Sequence, residues 1–209
     1  PAVLPDAVAL LNPVQPGCPY PEKRLAACGV TWVLLVALRS RLRTRGDFIG
    51  RAEPDLREWL DLTAIGTVAD LVPLKGFNRV IAAHGLRRIA ATPRPGVRAL
   101  CQVAGMDPQR VTAGTVGFHL GPRINAAGRI AHARAGVELL TTEDPDAAMA
   151  TAEQVDALNA ERRGLQEAIF QEACARVAEH PDPGSRRAIV LADAAWHPGV
   201  LGIVASKLV

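Results

Sequence analysis

One acidic side chain stands in an otherwise apolar run. The segment AIGTVADLVPL, residues 64–74, contains Asp70 and no other charged residue. Burying a carboxylate is costly unless a metal ion, a base or several hydrogen-bond donors hold its charge. Asp70 is therefore a candidate functional residue, and the residues alone do not decide which of these partners it has. The structural alternative is that it caps a neighbouring helix or pairs with an arginine such as Arg79, and the residues alone leave both possibilities open.

The spacing around Asp70 favours a helix over a strand. As a helix, the segment places Thr63, Gly66, Thr67 and Asp70 on one narrow polar stripe at positions i, i+3, i+4 and i+7. Pro73 would end the helix shortly after Asp70. Gly66 inside a helix costs about 1 kcal/mol relative to Ala, which indicates close approach by another backbone or by a ligand.

Two arginines frame an asparagine in GPRINAAGR, residues 121–129. Small residues let a ligand come close to the backbone, and the guanidinium groups of Arg123 and Arg129 can each grip phosphate oxygens. The segment 112–130 is rich in Gly, so we expect irregular backbone there, with Asn125 between the two arginines. The alternative is an ordinary loop with surface arginines.

A histidine and a Pro-Gly turn follow a predicted strand in WHPGVLGIVASKL, residues 196–208. A helix that starts at such a place can bind an anion at its N-terminus. His197 is the candidate side chain, although a loop histidine satisfied by the backbone is the more common case.

Composition limits the class of protein. The chain has 209 residues, 49% of them hydrophobic and 22% charged, with a net charge of +3 and a mean hydropathy of +0.12. These values are typical of a globular protein, and they are too mildly basic to indicate nucleic-acid binding by themselves. Aromatic residues make up only 4% of the chain, which disfavours recognition based mainly on stacked bases. The four cysteines form no C-x-x-C pair, and no apolar run is long enough to span a bilayer, so the sequence predicts a cytoplasmic protein.

The elements that would position these residues predict an α/β fold. Buried strands are expected at 6–13 and 186–193 and helices elsewhere, the longest starting at Asp144-Pro145, an N-cap followed by Pro at the first helical position. The expected domains are 1–143, a long connecting helix at 144–182 and the beginning of a second α/β domain at 183–209. The first residue is not Met and the last lies in an apolar run, which predicts an internal piece of a longer protein.

Several motifs in this order identify a family resemblance. LPDAVALLNP, GTVAD, GFHLGPRINAAGRI, ALNAERR and WHPGVLGIVASKL are similar to segments of the RecJ-type single-strand-specific exonucleases of the DHH phosphoesterase superfamily. The resemblance covers nearly the whole chain. It implies the C-terminal part of a DHH domain, the connecting helix and the start of the α/β DHH-associated domain.

The resemblance also implies roles for the candidate residues. In that family paired Mn²⁺ or Mg²⁺ ions activate water for attack on a phosphodiester, and the Asp of GTVAD, here Asp70, is one of their ligands. Phosphate or DNA contact is implied for Arg123, Asn125, Arg129, His197 and Ser206.

Three family motifs are absent from this sequence: DxDxDG, Asp-His-His and Gly-Gly-His. The remaining metal ligands would therefore lie outside these residues, and the chain alone is expected to be inactive. The longer protein is expected to degrade single-stranded DNA from the 5′ end in recombination and repair. It is expected to be a monomer that binds repair or replication proteins and does not bind a membrane.

Two other functions remain open from the sequence. One is a DHH phosphodiesterase for oligoribonucleotides or cyclic dinucleotides, which would need a closed pocket rather than a groove. The other is a nonenzymatic member of the superfamily that serves as a replication scaffold; retention of Asp70 weighs against it.

Overall fold

The structure is a computed structural model and describes residues 5–179 and 188–208. The chain divides into two compact units, one made of residues 1–93 and 106–121 and the other of 94–105 and 122–209. The domain boundaries predicted at 143 and 182 stay a prediction. Residues 180–187, which include the helix-ending HPDPGS segment, lie outside the described residues.

Helices make up the regular structure of the described residues. The α-helices are α1 (Ala27–Thr44), α2 (Leu60–Ala69), α3 (Gly76–Ile89), α4 (Pro95–Val103), α5 (Ala113–Thr115), α6 (Gly121–Ile130), α7 (Arg134–Thr141), α8 (Pro145–Ala178) and α9 (Pro198–Lys207). Short 3-10 turns lie at Leu56–Trp59 and Pro108–Arg110, and a π-helix lies at Val116–Leu120. No helix in the described residues is long and apolar enough to cross a bilayer.

The predicted α/β class is wrong for the part of the chain that the structure describes, because that part contains no strand. Residues 6–13 and the described part of the second predicted strand, 188–193, have no regular structure and are mostly exposed. An apolar run becomes a strand only when a neighbouring strand pairs with its backbone N–H and C=O groups. Neither segment has such a neighbour among the described residues.

The Gly-rich segment 112–130 is helical rather than irregular. Ala126 and Ala127 are fully buried in α6, so this helix is packed through its smallest side chains. A Cβ added to Gly121 would lie 3.1 Å from the Cβ of Ala69, which shows how closely Gly121 approaches α2. Tertiary packing of this kind overrides the low helix propensity of glycine.

The core of the first unit forms where α2 packs on α3. Ala64 and Ile65 of α2 and Ile81 and Ile89 of α3 are almost completely buried. A Cβ on Gly85 of α3 would lie 2.2 Å from the backbone carbonyl oxygen of Leu60, so this contact requires glycine. The polar end of α2 is therefore held on a rigid helix pair.

Helix α8, 34 residues long, organises the second unit. It begins as the sequence predicts, with Asp144 accepting hydrogen bonds from the backbone N–H groups of Asp146 and Ala147. The helix packs on α4 and α7. Its C-terminal half packs on α9 through an apolar cluster that includes Ile169, Ala173, Val200 and Val204.

Candidate functional site

Asp70 lies at the C-terminal end of α2, with its backbone N–H donating to the carbonyl oxygen of Gly66 at 3.0 Å. The residue is exposed, and in the described structure its carboxylate accepts no hydrogen bond and forms no ion pair, with Arg79 or any other residue. A negative charge at a helix C-terminus faces the negative end of the helix dipole, which costs about 0.3–1 kcal/mol. A cation beside Asp70 would remove that cost.

The polar stripe that precedes Asp70 packs against α1. The Sγ of Cys28 donates to the carbonyl oxygen of Thr63 at 3.4 Å and lies 3.7 Å from Oγ1 of Thr67. A Cβ on Gly66 would lie 2.7 Å from the same sulfur, which explains the glycine inside the helix. Burial, and to a smaller extent the charge of Asp70, raise the pKa of the Cys28 thiol. The stripe is therefore a helix–helix contact whose last residue, Asp70, is exposed to solvent.

The residue after Asp70 has a strained backbone. Leu71 has a φ of +56°, in the left-handed region that non-glycine residues rarely adopt, and its side chain is 84% exposed. Such conformations cost about 1–3 kcal/mol and cluster at functional sites. The sequence contains no signal for this feature, because a leucine in an apolar run predicts an ordinary helical or extended residue.

The buried acid of α2 is Asp61 rather than Asp70. Asp61 is fully buried, and its carboxylate accepts hydrogen bonds from the backbone N–H of Leu62 at 2.7 Å and from Oγ1 of Thr92 at 2.8 Å. It lies in the first turn of the helix, where a negative charge is favourable. Its partner Thr92 is 31 residues away in the chain, so sequence spacing could not reveal this pair.

Arg123 forms an ion pair within the second unit. Its Nε lies 2.8 Å from Oδ1 of Asp156 on α8, and its side chain is only 12% exposed. The carboxylate already balances the charge that was predicted to contact phosphate. Phosphate contact by Arg123 stays a prediction.

Helix α6 sets the spacing of the other predicted residues in GPRINAAGR. Asn125 and Arg129 are both exposed and four residues apart, which places them on one face of the helix. Arg123 is six residues from Arg129, about 9 Å along the axis and on a different face. The two arginines therefore do not act as a single clamp, and Asn125 with Arg129 form the exposed pair.

Arg129 also holds the start of α9. Its Nη1 donates to the carbonyl oxygen of Gly199 at 3.2 Å, and a Cβ on Gly199 would lie 2.0 Å from the carbonyl oxygen of Arg129. His197 is the N-cap of α9, where its Nδ1 accepts from the backbone N–H of Gly199 at 3.1 Å. The hydrogen of the neutral ring is thereby placed on Nε2.

Ser206 is exposed in the last turn of α9. It is nine residues from His197, which corresponds to about 13 Å along the helix. The two residues therefore lie at opposite ends of α9. DNA contact by either one stays a prediction.

Asp70 has the chemistry of a ligand for a hard divalent cation, since it is an exposed carboxylate without a partner in the described structure, a property that it shares with other exposed acids such as Glu153. Within residues 5–179 and 188–208, no three His, Cys, Asp or Glu side chains come together as a metal-binding group. At Asp70 the described residues therefore offer such a cation one ligand and no cluster of ligands.

Comparison with known proteins places the chain in a family, although no family model matches it. It is 42% identical over 213 residues to single-stranded-DNA-specific exonuclease RecJ of Escherichia coli and 46% identical over 206 residues to that of Bacillus subtilis. These matches cover 98% and 99% of the chain but only 36% and 24% of the relatives.

Solved structures agree with the sequence comparison. The crystal structure of RecJ in complex with Mn²⁺ from Thermus thermophilus matches 94% of the chain at 38% identity with a TM-score of 0.76, and the chain covers 27% of it. A crystal structure of exonuclease RecJ bound to manganese matches 86% of the chain at 39% identity with a TM-score of 0.72, and the chain covers 42% of it. The chain spans about a third of the length of the curated relatives it matches, and over that region it belongs to the RecJ family.

Proposed function

We propose that this chain serves in a metal-dependent exonuclease that degrades single-stranded DNA from the 5′ end during recombination and repair. The observation that carries the proposal is its 38–46% identity, over 90% or more of its length, to proteins named single-stranded-DNA-specific exonuclease RecJ. The placement of Asp70 supports it. An exposed carboxylate at a helix C-terminus is unfavourable by itself and is suited to a bound cation.

Asp70 would hold one of two Mn²⁺ or Mg²⁺ ions. Such an ion, when bound, lowers the pKa of a water molecule and stabilises the charge that develops on a phosphodiester. The helix pair α2–α3 fixes the backbone of Asp70, and the strained Leu71 ends the helix immediately after the ligand. The backbone that carries the carboxylate is thus fixed before any ion arrives, which reduces the cost of ordering the ligand.

The exposed face of α6 would hold the nucleic acid. Arg129 can donate to phosphate oxygens while its Nη1 remains bonded to Gly199, because a guanidinium has five N–H donors. Asn125 lies one turn away on the same face and can donate its amide N–H groups to the same strand. Contacts of this kind bind the backbone of DNA without reading its sequence.

A chimaera tests the proposed substrate. These 209 residues would replace the matching segment of the Escherichia coli relative, and hydrolysis would be measured with Mn²⁺ on single-stranded DNA, duplex DNA, single-stranded RNA, a dinucleotide and a cyclic dinucleotide. The expected result is release of nucleotides from the 5′ end of single-stranded DNA, with much slower release from the duplex.

Two results would overturn the proposal. Preference for the dinucleotide or the cyclic dinucleotide would support the small-substrate phosphodiesterase. Binding of DNA without hydrolysis of any substrate, under conditions in which the unmodified relative is active, would support the scaffold. Cytoplasmic location and a monomeric state stay predictions from the sequence.

A further inference from the structure

Arg162, in the middle of α8, has an unusual set of partners for a half-buried arginine. Its Nε and Nη2 donate to Oδ1 of Asn159 at 3.3 and 3.1 Å, and its Nη1 donates to Oε1 of Gln166 at 2.9 Å. Both acceptors are neutral amide oxygens. In the part of the chain that the structure describes, Arg162 has no carboxylate partner.

Two other partly buried arginines of the second unit have carboxylate partners. Arg123 pairs with Asp156, and Arg176 pairs with Glu172 and Asp193. A desolvated charge without a counter-ion is costly, and further positive charge nearby increases the cost. Arg162 has both disadvantages: burial is the largest cause that lowers its pKa, and the positive charges of Arg129 and Arg163 lower it further.

The amide partners fix the orientation of the Arg162 guanidinium. Asn159 is only 2% exposed, so its side chain is itself held by the packing of α8. A guanidinium has five N–H donors, and the three bonds to Asn159 and Gln166 leave one N–H on each Nη. Two remaining donors on one planar guanidinium can bind two oxygens of a phosphate group.

We propose that Arg162 and Arg129 form an anion site that binds phosphate oxygens of a nucleic-acid backbone, with Asn159 and Gln166 as positioning residues. The nucleic acid as ligand rests on the proposed function, whereas the anion site itself does not. Arg129 is exposed and anchored at the carbonyl of Gly199, and its positive charge acts on the guanidinium of Arg162. The missing counter-ion of Arg162 is then the ligand.

The binding experiment uses the 209-residue chain and two probes. A fluorescent single-stranded oligonucleotide reports DNA affinity by anisotropy at several salt concentrations, and inorganic pyrophosphate is titrated while the Nε–H signal of Arg162 is followed by NMR. The variants are Arg162→Gln, Arg162→Lys and Asn159→Asp. The charge-matched control is Arg98→Gln, which removes an exposed arginine from α4 of the same unit.

We expect Arg162→Gln to raise the Kd for the oligonucleotide about tenfold or more and to reduce the salt slope by about 1. Arg162→Lys keeps the charge but not the planar set of donors, so its Kd should be intermediate. Asn159→Asp gives Arg162 a permanent counter-ion and should weaken binding although the arginine remains. Arg98→Gln should change the Kd by less than about twofold.

Different failures have different meanings. An unchanged Kd and salt slope in Arg162→Gln, with normal DNA binding by the unmodified chain, would overturn the anion site and leave the proposed function standing. Pyrophosphate that shifts the Arg162 signal in a chain that binds no DNA would support the anion site and count against the proposed function. An Arg162 signal that responds to neither probe would overturn the inference.

Discussion

The guanidinium of Arg129 donates to the carbonyl oxygen of Gly199, and the backbone of Gly199 in turn lies against the carbonyl oxygen of Arg129. This double contact joins the end of α6 to the start of α9. The same arginine that is proposed to bind phosphate therefore also fixes the position of a neighbouring helix. The glycine makes the contact possible, because any Cβ there would lie 2.0 Å from a backbone oxygen.

The first prediction concerns the stability of this contact. Gly199→Ala should lower the free energy of unfolding by about 1–3 kcal/mol, because the added methyl group forces α9 away from α6. Gly202→Ala in the same helix is the control: no atom lies within 4 Å of its added Cβ, so the substitution should stabilise the chain by about 1 kcal/mol. Urea denaturation measures both. Equal changes in the free energy of unfolding, with the same sign in both variants, would contradict the close contact between Gly199 and Arg129.

The second prediction concerns the strained residue beside Asp70. Leu71→Gly should raise the free energy of unfolding by up to about 1 kcal/mol, because glycine adopts a positive φ without steric cost and little packing is lost at this exposed site. Leu71→Val should lower it, since a β-branched residue is more strained there. Leu74 does not have a positive φ, so the control substitution Leu74→Gly should lower the free energy of unfolding. Thermal and urea denaturation measure the stability of these variants. A Leu71→Gly variant that is less stable than Leu71→Val would refute the backbone strain at Leu71.

The third prediction concerns the buried acid. Thr92→Val keeps the shape of the side chain but removes the hydroxyl that donates to Asp61 at 2.8 Å, so it should lower the free energy of unfolding by about 1.5–3 kcal/mol. Thr141→Val is the matched control, because the Thr141 hydroxyl donates to the carbonyl oxygen of Val137 at an exposed position. Its effect should stay within about 0.5 kcal/mol. Similar losses in both variants would show that the bond to Asp61 is not important for stability.

The fourth prediction concerns the pH dependence of the Cys28 thiol. Burial raises its pKa above the ordinary value of 9.0, so the native state holds this proton more tightly than the unfolded state does. The resulting stabilisation is complete below about pH 9 and is lost as the pH rises through the native pKa. The native chain should therefore require a higher pH for half-maximal alkylation at Cys28 than the urea-unfolded chain, as measured by mass spectrometry of its peptide. If alkylation of the native and the unfolded chain depends on pH in the same way, the pKa of Cys28 is not raised in the native state.

Local signals in the sequence predicted several helices correctly. The Asp144-Pro145 pair marks the start of α8, and the His197-Pro198 pair marks the start of α9. Pro73 correctly indicated that α2 ends near Asp70. These signals work because capping and the fixed φ of proline act within one helical turn.

Features that depend on distant partners were not predicted. The apolar run within 6–13 suggested a strand, but a strand requires a pairing partner that the pattern itself cannot supply. The glycines of 112–130 suggested irregular backbone, although the segment is helical and Gly121 approaches Ala69 closely. The Arg123–Asp156 pair joins residues far apart in the chain, so the burial of that arginine could not be anticipated from GPRINAAGR alone.

The most direct test of the account is the rate of Mn²⁺-dependent hydrolysis of single-stranded DNA by the chimaera with Asp70→Asn. Removing a charge from a helix C-terminus should leave the chain equally stable or more stable by about 0.3–1 kcal/mol, so unfolding would not explain a lost activity. The account predicts a loss of at least about 100-fold in rate, because the substitution removes a metal ligand. A rate within about twofold of the unmodified chimaera would contradict the assignment of Asp70 as a metal ligand.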